Sequence, residues 1–162
     1  MMTMRARLVI IVFLTAFFGL AAVNGSADAD RWIEPQSDVG FVQDALTEAA
    51  SLVETLADDG YSIQVLHLEY MEEPDEHLVV EEFRAGAEYV IAAIADPRIE
   101  NLHLTAYAPY GDVINTDTGG GRHPRISLRT IADSQATLEF AAVGIPESSS
   151  ELFILYIIAE KR

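Results

Sequence analysis

The side chains best suited to chemistry in this chain are carboxylates that lie between its apolar runs. Asp96, Asp112 and Asp117 each fall in such a position, with the side-chain amides of Asn101 and Asn115 nearby in the sequence. Calcium is a hard cation that takes about six to eight oxygen ligands, and carboxylate and amide oxygens suit it. The three aspartates are therefore the candidate calcium ligands, and no other cofactor is expected. Because no EF-hand or calcium-repeat motif is present, the alternative is that these acids form Asx-turns and keep the chain soluble.

Asp117-Thr118-Gly119 spells the triplet of aspartic proteases. Those enzymes hold two carboxylates in contact so that they share one proton, and a chain of this length would have to dimerise to do so. Asn115 and Thr116 interrupt the apolar run that usually precedes the aspartate, and the glycines that follow suit a hairpin loop. A hydrolase of this kind is the less favoured interpretation, and no catalytic residue is predicted.

Two further patterns carry weaker signals. Gly119–Arg122, a GGGR sequence, offers backbone N–H groups to an anion, but no helix follows and no P-loop lysine is present. The histidines are scattered without an HxH or HExxH pair, so a zinc site would have to be assembled across strands. GxSxG is also absent, and the chain is expected not to be an enzyme. The four histidines are His67, His77, His103 and His123.

Composition limits the classes of function. The 162 residues include 26 Asp and Glu, 10 Lys and Arg and no cysteine, for a net charge of −16. Nucleic-acid binding is not expected, because phosphates need basic side chains to displace their counterions, and an anionic membrane surface would repel the chain. Without cysteine there is no disulfide, thiolate metal site or cysteine nucleophile. Half of the residues are apolar, which is enough to form the core of one folded domain. The expected partner is a protein or another extracellular ligand.

The N-terminus has the pattern of an export signal. Two arginines and no acid precede an apolar run over 8–23, and small residues follow it, so a signal peptide is predicted over 1–27. Cleavage after Ala27 and cleavage after Ala29 both satisfy the small-residue pattern. An uncleaved anchor is the alternative, but the run rises only about 24 Å as a helix, short of the roughly 30 Å hydrocarbon core. We therefore expect a periplasmic or extracellular protein.

One helix is predicted after the signal, following a polar lead-in over 28–36. It is assigned to 37–60, with Ser37 or Asp38 capping its start and Gly60 in the left-handed conformation that ends it. Acidic pairs four residues apart repel each other, so the helix should depend on docking its apolar stripe against the rest of the fold. The stripe has three- and four-residue spacing: Val42, Leu46, Ala49, Val53 and Leu56.

Beyond residue 60 the apolar residues alternate, which is the pattern of β-strands. Eight strands are predicted over 61–162, separated by turns rich in Gly, Pro, Asp and Ser. No second helix is available to connect parallel strands, so the fold class is mainly β: an antiparallel, jelly-roll-like β-sandwich of about eight strands preceded by one amphipathic α-helix. The predicted strands are 61–71, 76–83, 87–95, 101–108, 113–115, 125–131, 136–143 and 151–159.

Four segments carry a resemblance to a known family: RAGAEYVIAAIAD, NLHLTAYAPYGDVINTDT, PRISLRT and ATLEFAAV. In this order, with Leu102, Leu104 and Tyr107 at matching positions, they resemble the β-sandwich of bacterial pre-peptidase C-terminal (PPC-like) domains over about 82–159. Ala108 departs from the pattern, where an acid is usual. The resemblance implies a non-catalytic, jelly-roll-like sandwich in an exported bacterial protein. Some relatives bind calcium or assist substrate binding beside a protease, and the latter role does not transfer to this chain.

The leading interpretation is an exported, non-catalytic β-sandwich protein that acts as a binding or structural module. A calcium- or carbohydrate-binding module is the first alternative, and Tyr107 and Tyr110 are the best aromatic candidates for a sugar platform, because Trp32 lies outside the predicted sandwich. A hydrolase with aspartic-protease chemistry at Asp117 is the second alternative. It would require a buried pair of such aspartates in a dimer.

Overall fold

A helix followed by eight strands makes up the part of the chain that the computed structural model describes, residues 35–71, 76–145 and 152–162. The predicted signal peptide over 1–27 lies outside these residues. Within them, the helix lacks the apolar length needed to cross a bilayer. The elements are α1 (Pro35–Asp58), β1 (Ser62–Met71), β2 (Glu76–Phe83), β3 (Glu88–Ala95), β4 (Asn101–Tyr107), β5 (Val113–Asp117), β6 (Arg125–Arg129), β7 (Ser134–Val143) and β8 (Leu152–Lys161).

The strands form two antiparallel sheets of four. Sheet A has the order β1-β8-β3-β6 and sheet B the order β2-β7-β4-β5. The pairing is nested: β1 pairs with β8, β2 with β7, β3 with β6 and β4 with β5. A long hairpin rolled into two layers produces such nesting. The predicted fold class, a mainly β sandwich of two antiparallel sheets preceded by one helix, is confirmed.

Alternation along the strands builds the core between the two sheets. Leu104, Leu138 and Phe140 of sheet B are fully buried there, as are Ile91 and Ile154 of sheet A. Because successive side chains of a strand point to opposite faces, a shift of one residue in register would expose this set. The core therefore fixes the register of both sheets.

A second core lies on the other face of sheet A. Ala45, Ala49 and Leu56 of α1 pack against that face, where they meet Phe153 and Leu155 of β8. Every residue of β8 from Leu152 to Glu160 is buried, because the strand has the opposite sheet on one side and α1 on the other. A nearly continuous apolar run in place of alternation is the sequence pattern of a strand covered on both faces.

The helix begins and ends with recognisable local chemistry. Pro35 is its first residue, inside the predicted lead-in, and proline suits a first turn because its missing N–H would have no partner there. Ser37 and Asp38 therefore lie within the helix, and the prediction that one of them caps it is wrong. At the other end Gly60 has a φ of 85°, as predicted. Lys161 donates its ammonium to the Asp59 carbonyl at 2.7 Å, which places a positive charge at the negative end of the helix dipole.

The buried side of α1 differs from the predicted stripe at one position. Leu46 is 46% exposed, whereas Ala45 is 3% exposed and faces sheet A. Ala49 and Leu56 are buried as predicted, and Val42 and Val53 are partly buried against the same cluster. The helix thus approaches the sheet through small residues in its middle turns, which lets its axis lie close to the strands.

Candidate functional site

Asp96, the first candidate calcium ligand, is fully buried and paired with Arg98. Its Oδ2 accepts a hydrogen bond from Arg98 Nη2 at 2.6 Å, and its Oδ1 accepts from Arg98 Nε at 2.8 Å and from the Arg98 backbone N–H at 2.9 Å. Such a fork-shaped, charge-assisted pair is among the strong hydrogen-bonded arrangements in proteins. Both carboxylate oxygens are thus engaged within the loop between β3 and β4.

Asp117 is held by backbone N–H groups. Its Oδ2 accepts from the Arg125 N–H at 2.8 Å and its Oδ1 from the Gly119 N–H at 3.0 Å. These two hydrogen bonds lower the pKa of Asp117, since they favour the charged form, and a nearby His103 adds to the effect. The geometry matches the Asx-turn alternative. It differs from an aspartic-protease site, where a second carboxyl would share a proton with this one.

The structure does not bring the three aspartates together. Asp112 is exposed in the turn that follows β4, whereas Asp96 lies in the loop that precedes β4. The seven residues of β4 span about 20 Å between these two ends. Among the described residues, no group of three or more His, Asp or Glu side chains is placed to hold a metal ion. Calcium binding by these aspartates stays a prediction.

The glycine loop uses its N–H groups within the fold. The Gly119 N–H is bonded to Asp117, and the Gly121 N–H donates to Asn101 Oδ1 at 2.7 Å. The Gly121 carbonyl in turn accepts from the Leu102 N–H at 2.9 Å. These contacts tie the loop to the start of β4, so two of the N–H groups considered for an anion already have partners.

The inner edge of the sandwich contains a polar cluster that sequence reasoning missed. A bulge between Ile63 and Val65 turns the following residues of β1, so His67 stacks on the buried Tyr156 with ring centroids 5.5 Å apart. His67 also lies 2.8 Å from Glu69. Burial, followed by the neighbouring Glu81, raises the pKa of Tyr156 to about 12.

The side chain of His67 is 51% exposed. Its ring nevertheless lies on the inter-sheet side and covers Tyr156. Tyr156 is 3% exposed, and its hydroxyl reaches Glu81 across the sandwich at 3.4 Å. The cluster therefore seals this edge of the core with aromatic and polar side chains.

The outer face of sheet B is a candidate contact surface. Leu78 and Val80 on β2 are 55% and 63% exposed. Val80 lies opposite Thr137, and Thr137 lies opposite Tyr107 on β4, so one row runs across the sheet from an aliphatic to an aromatic side chain. A hydrogen bond to Glu139 raises the pKa of the Tyr107 phenol. We call the outward-facing residues of β2, β7 and β4 the open face.

Hydroxyl and carboxylate groups lie in the adjacent row of the open face. Leu78 lies opposite Glu139, and Glu139 lies opposite Thr105. The Thr105 and Thr116 hydroxyl oxygens are 3.0 Å apart, which links β4 to β5. Tyr110 is 96% exposed in the turn just beyond Tyr107. The open face thus combines apolar, aromatic and hydrogen-bonding groups.

Comparison with known proteins adds no relative from which a function could be carried over. The chain matches no protein-family model, and no curated protein sequence matches it. The resemblance to PPC-like domains accordingly depends on the four sequence segments given above.

Proposed function

We propose that this chain is an exported, non-catalytic binding module that contacts its partner through the open face of sheet B. The observation that carries the proposal is the asymmetry of the two sheets. α1 covers the outer face of sheet A, whereas Leu78 and Val80 expose more than half of their side chains on the open face. Single exposed apolar residues are ordinary, but adjacent ones that continue into an aromatic row are typical of contact surfaces.

Export is supported by the order of arginines, apolar run and small residues over 1–27. Intact-mass analysis of the envelope and secreted fractions tests it directly. We expect a chain that starts at Asp28 or Asp30. Full-length mass in the inner membrane would contradict export.

The binding proposal is tested by site-specific photo-crosslinking in the organism that makes the protein. Benzoylphenylalanine replaces Val80 on the open face in one variant and Thr47, an exposed residue of α1, in the other. Crosslinked products that form from position 80 and not from position 47 would support the open face as the contact surface. Equal crosslinking from both positions, or none from either, would contradict it.

Carbohydrate is the second candidate ligand, because Tyr107 and Tyr110 lie beside groups that can hydrogen-bond to sugar hydroxyls. Aromatic faces pack against sugar rings, while the Glu139 carboxylate, which is bonded to the Tyr107 phenol, is an acceptor in the same area. Retardation in gels containing soluble polysaccharides, including peptidoglycan fragments, tests this candidate. We expect Tyr107→Ala to abolish any retardation and Tyr70→Ala, at an exposed tyrosine of β1, to leave it unchanged.

A further inference from the structure

A groove separates α1 from the edge of sheet A. Its volume is about 360 Å³, which lies within the range of small-molecule sites. The groove exists because α1 packs over β8 and β3, while Ala92 on β3 presents only a small side chain beneath it. The lining residues are Glu48, Ser51, Leu52 and Thr55 of α1, Ala92, Ala93 and Ile94 of β3, and His123 and Arg125.

The floor and the rim of the groove differ in chemistry. Leu52, Ala92 and Ile94 supply apolar surface, and Ala92 and Ile94 are 3% and 4% exposed. The hydroxyls of Ser51 and Thr55 lie on the helix side of the rim. A ligand that fits must therefore combine an apolar body with a polar head.

The charge at the rim decides the sign of that head. Glu48 is already paired with His123, whose Nε2 lies 2.7 Å from Glu48 Oε2. The Arg125 guanidinium, in contrast, makes no salt bridge within the residues that the structure describes, while its backbone N–H is fixed by Asp117. The guanidinium does interact electrostatically with the Tyr61 phenol, whose hydroxyl donates to Glu88. A guanidinium without a salt bridge is suited to binding a carboxylate in a two-pronged arrangement.

The neighbourhood of Arg125 is also basic in an otherwise acidic chain. Arg122 and Arg129 lie within four residues of it, so three of the chain's 10 basic residues fall in one short segment. Exposed acids elsewhere are screened over about 10 Å at ordinary ionic strength. Of these three arginines only Arg125 lines the groove, so its charge is the one that a bound anion would meet.

We propose that this groove binds a small amphiphilic carboxylate, with the carboxylate on Arg125 and the acyl chain along the floor of Leu52, Ala92 and Ile94. This site is separate from the open face of sheet B. It can therefore be occupied whether or not the proposed function at that face holds.

The probe is decanoate with a carbon-13-labelled carboxyl group, used below its critical micelle concentration. NMR follows the carboxyl signal while the protein, as purified from its producing cells, is added. We expect saturable binding at one site and weaker binding of decanol, which has the same chain without the charge. Arg125→Gln should weaken decanoate binding at least about tenfold, the size expected for a lost charge-assisted hydrogen bond. Arg129→Gln, on the same strand, is the matched control and should bind as the wild type does.

Ser51→Phe provides an independent variant, because it fills the groove from an exposed helix position and leaves Arg125 in place. We expect it to weaken decanoate and decanol alike. Several results would overturn the proposal: no saturable binding to the wild type, equal loss in Arg125→Gln and Arg129→Gln, or unchanged binding in Arg125→Gln or in Ser51→Phe. Circular dichroism of each variant establishes that it is folded.

Discussion

The Asp96 carboxylate forms a two-pronged salt bridge with the Arg98 guanidinium, two residues along the chain, although its side chain has no exposed surface. The guanidinium also lies 5.6 Å from the centre of the Phe41 ring on α1. The ion pair thus neutralises a buried charge at the end of β3 and reaches the helix at the same time. Its arrangement is a feature of the fold and not a free site for a ligand.

Removal of the Arg98 charge should be costly. In Arg98→Met the Asp96 carboxylate would stay buried without its partner, and we expect a loss of about 3–5 kcal/mol in the free energy of unfolding. Urea denaturation measures this value. Arg84→Met is the matched control at an exposed arginine, and its effect should lie within about 0.5 kcal/mol of zero. Equal effects of the two substitutions would show that the buried pair is not what stabilises this loop.

Because the pKa of Asp117 is lowered, part of the free energy of unfolding depends on pH. Because the folded state holds this pKa below its ordinary value of 3.8, the contribution is present above that value and is lost as the pH falls through the folded pKa. Asp117→Asn should therefore destabilise the fold at pH 7, and its difference from the wild type should shrink below pH ~3.8. Urea denaturation at pH 7 and at about pH 2.5 measures both differences. Asp112→Asn, in an exposed turn, should show neither.

Calcium and magnesium should stabilise the protein to similar extents. The net charge of −16 creates self-repulsion that any salt screens, and the three candidate aspartates lie apart. Thermal unfolding with each ion, and with sodium at matched ionic strength, measures the shift in melting temperature. A shift of several degrees at micromolar calcium, absent with magnesium and abolished by Asp117→Asn, would instead establish a calcium site.

Several strands could be read from the sequence because their apolar residues alternate and the turns contain residues that stop a strand. Residues 76–83 and 101–107 illustrate this, since more and less exposed positions alternate along the first segment and Leu102, Leu104 and Ala106 are buried in the second. The bulge between Ile63 and Val65 could not be read in the same way, since it leaves the apolar composition unchanged while it reverses the faces. That reversal is what brings His67 onto Tyr156.

The candidate sites were harder to predict than the elements, because they depend on how elements pack. Asp96 was recognised as a polar residue at a strand end, but its burial follows from the packing of the loop around it. The Asp-Pro-Arg sequence at 96–98 was the available signal, since it places a guanidinium two residues from a carboxylate. No comparable sequence pattern indicates the groove beside Arg125, because the other wall of the groove comes from α1.

The phenol of Tyr156 should lose its proton only at high pH, with a pKa of about 12, because it is buried near Glu81. Absorbance at alkaline pH should show a late phase that Tyr156→Phe removes. Tyr70→Phe, at a tyrosine that is 55% exposed, should retain that phase. Since the folded pKa is raised, the associated stability is complete below the unfolded value near 10 and is lost as the pH rises toward 12. A late phase that persists without Tyr156 would contradict this assignment.

Docking of α1 should depend on Leu56 and hardly on Leu46, although both belong to the stripe predicted from the sequence. Leu56 is fully buried against sheet A, whereas Leu46 is 46% exposed. Truncation of a fully buried leucine leaves a cavity, so Leu56→Ala should lower the free energy of unfolding by about 2–5 kcal/mol. Leu46→Ala should cost about 1 kcal/mol or less, because little buried surface is lost.

Urea denaturation, followed by far-ultraviolet circular dichroism, compares these two variants under the same conditions. The pair is matched in chemistry, since each replaces leucine by alanine within the same helix and changes helix propensity equally. Any difference between them therefore reports packing against sheet A. Equal effects would mean that Leu56 is no more buried than Leu46, which would contradict this packing of α1 and the wall it forms in the groove proposed to bind a carboxylate. A large effect of Leu56→Ala alone would support the orientation of α1 on which the second core, on the outer face of sheet A, depends.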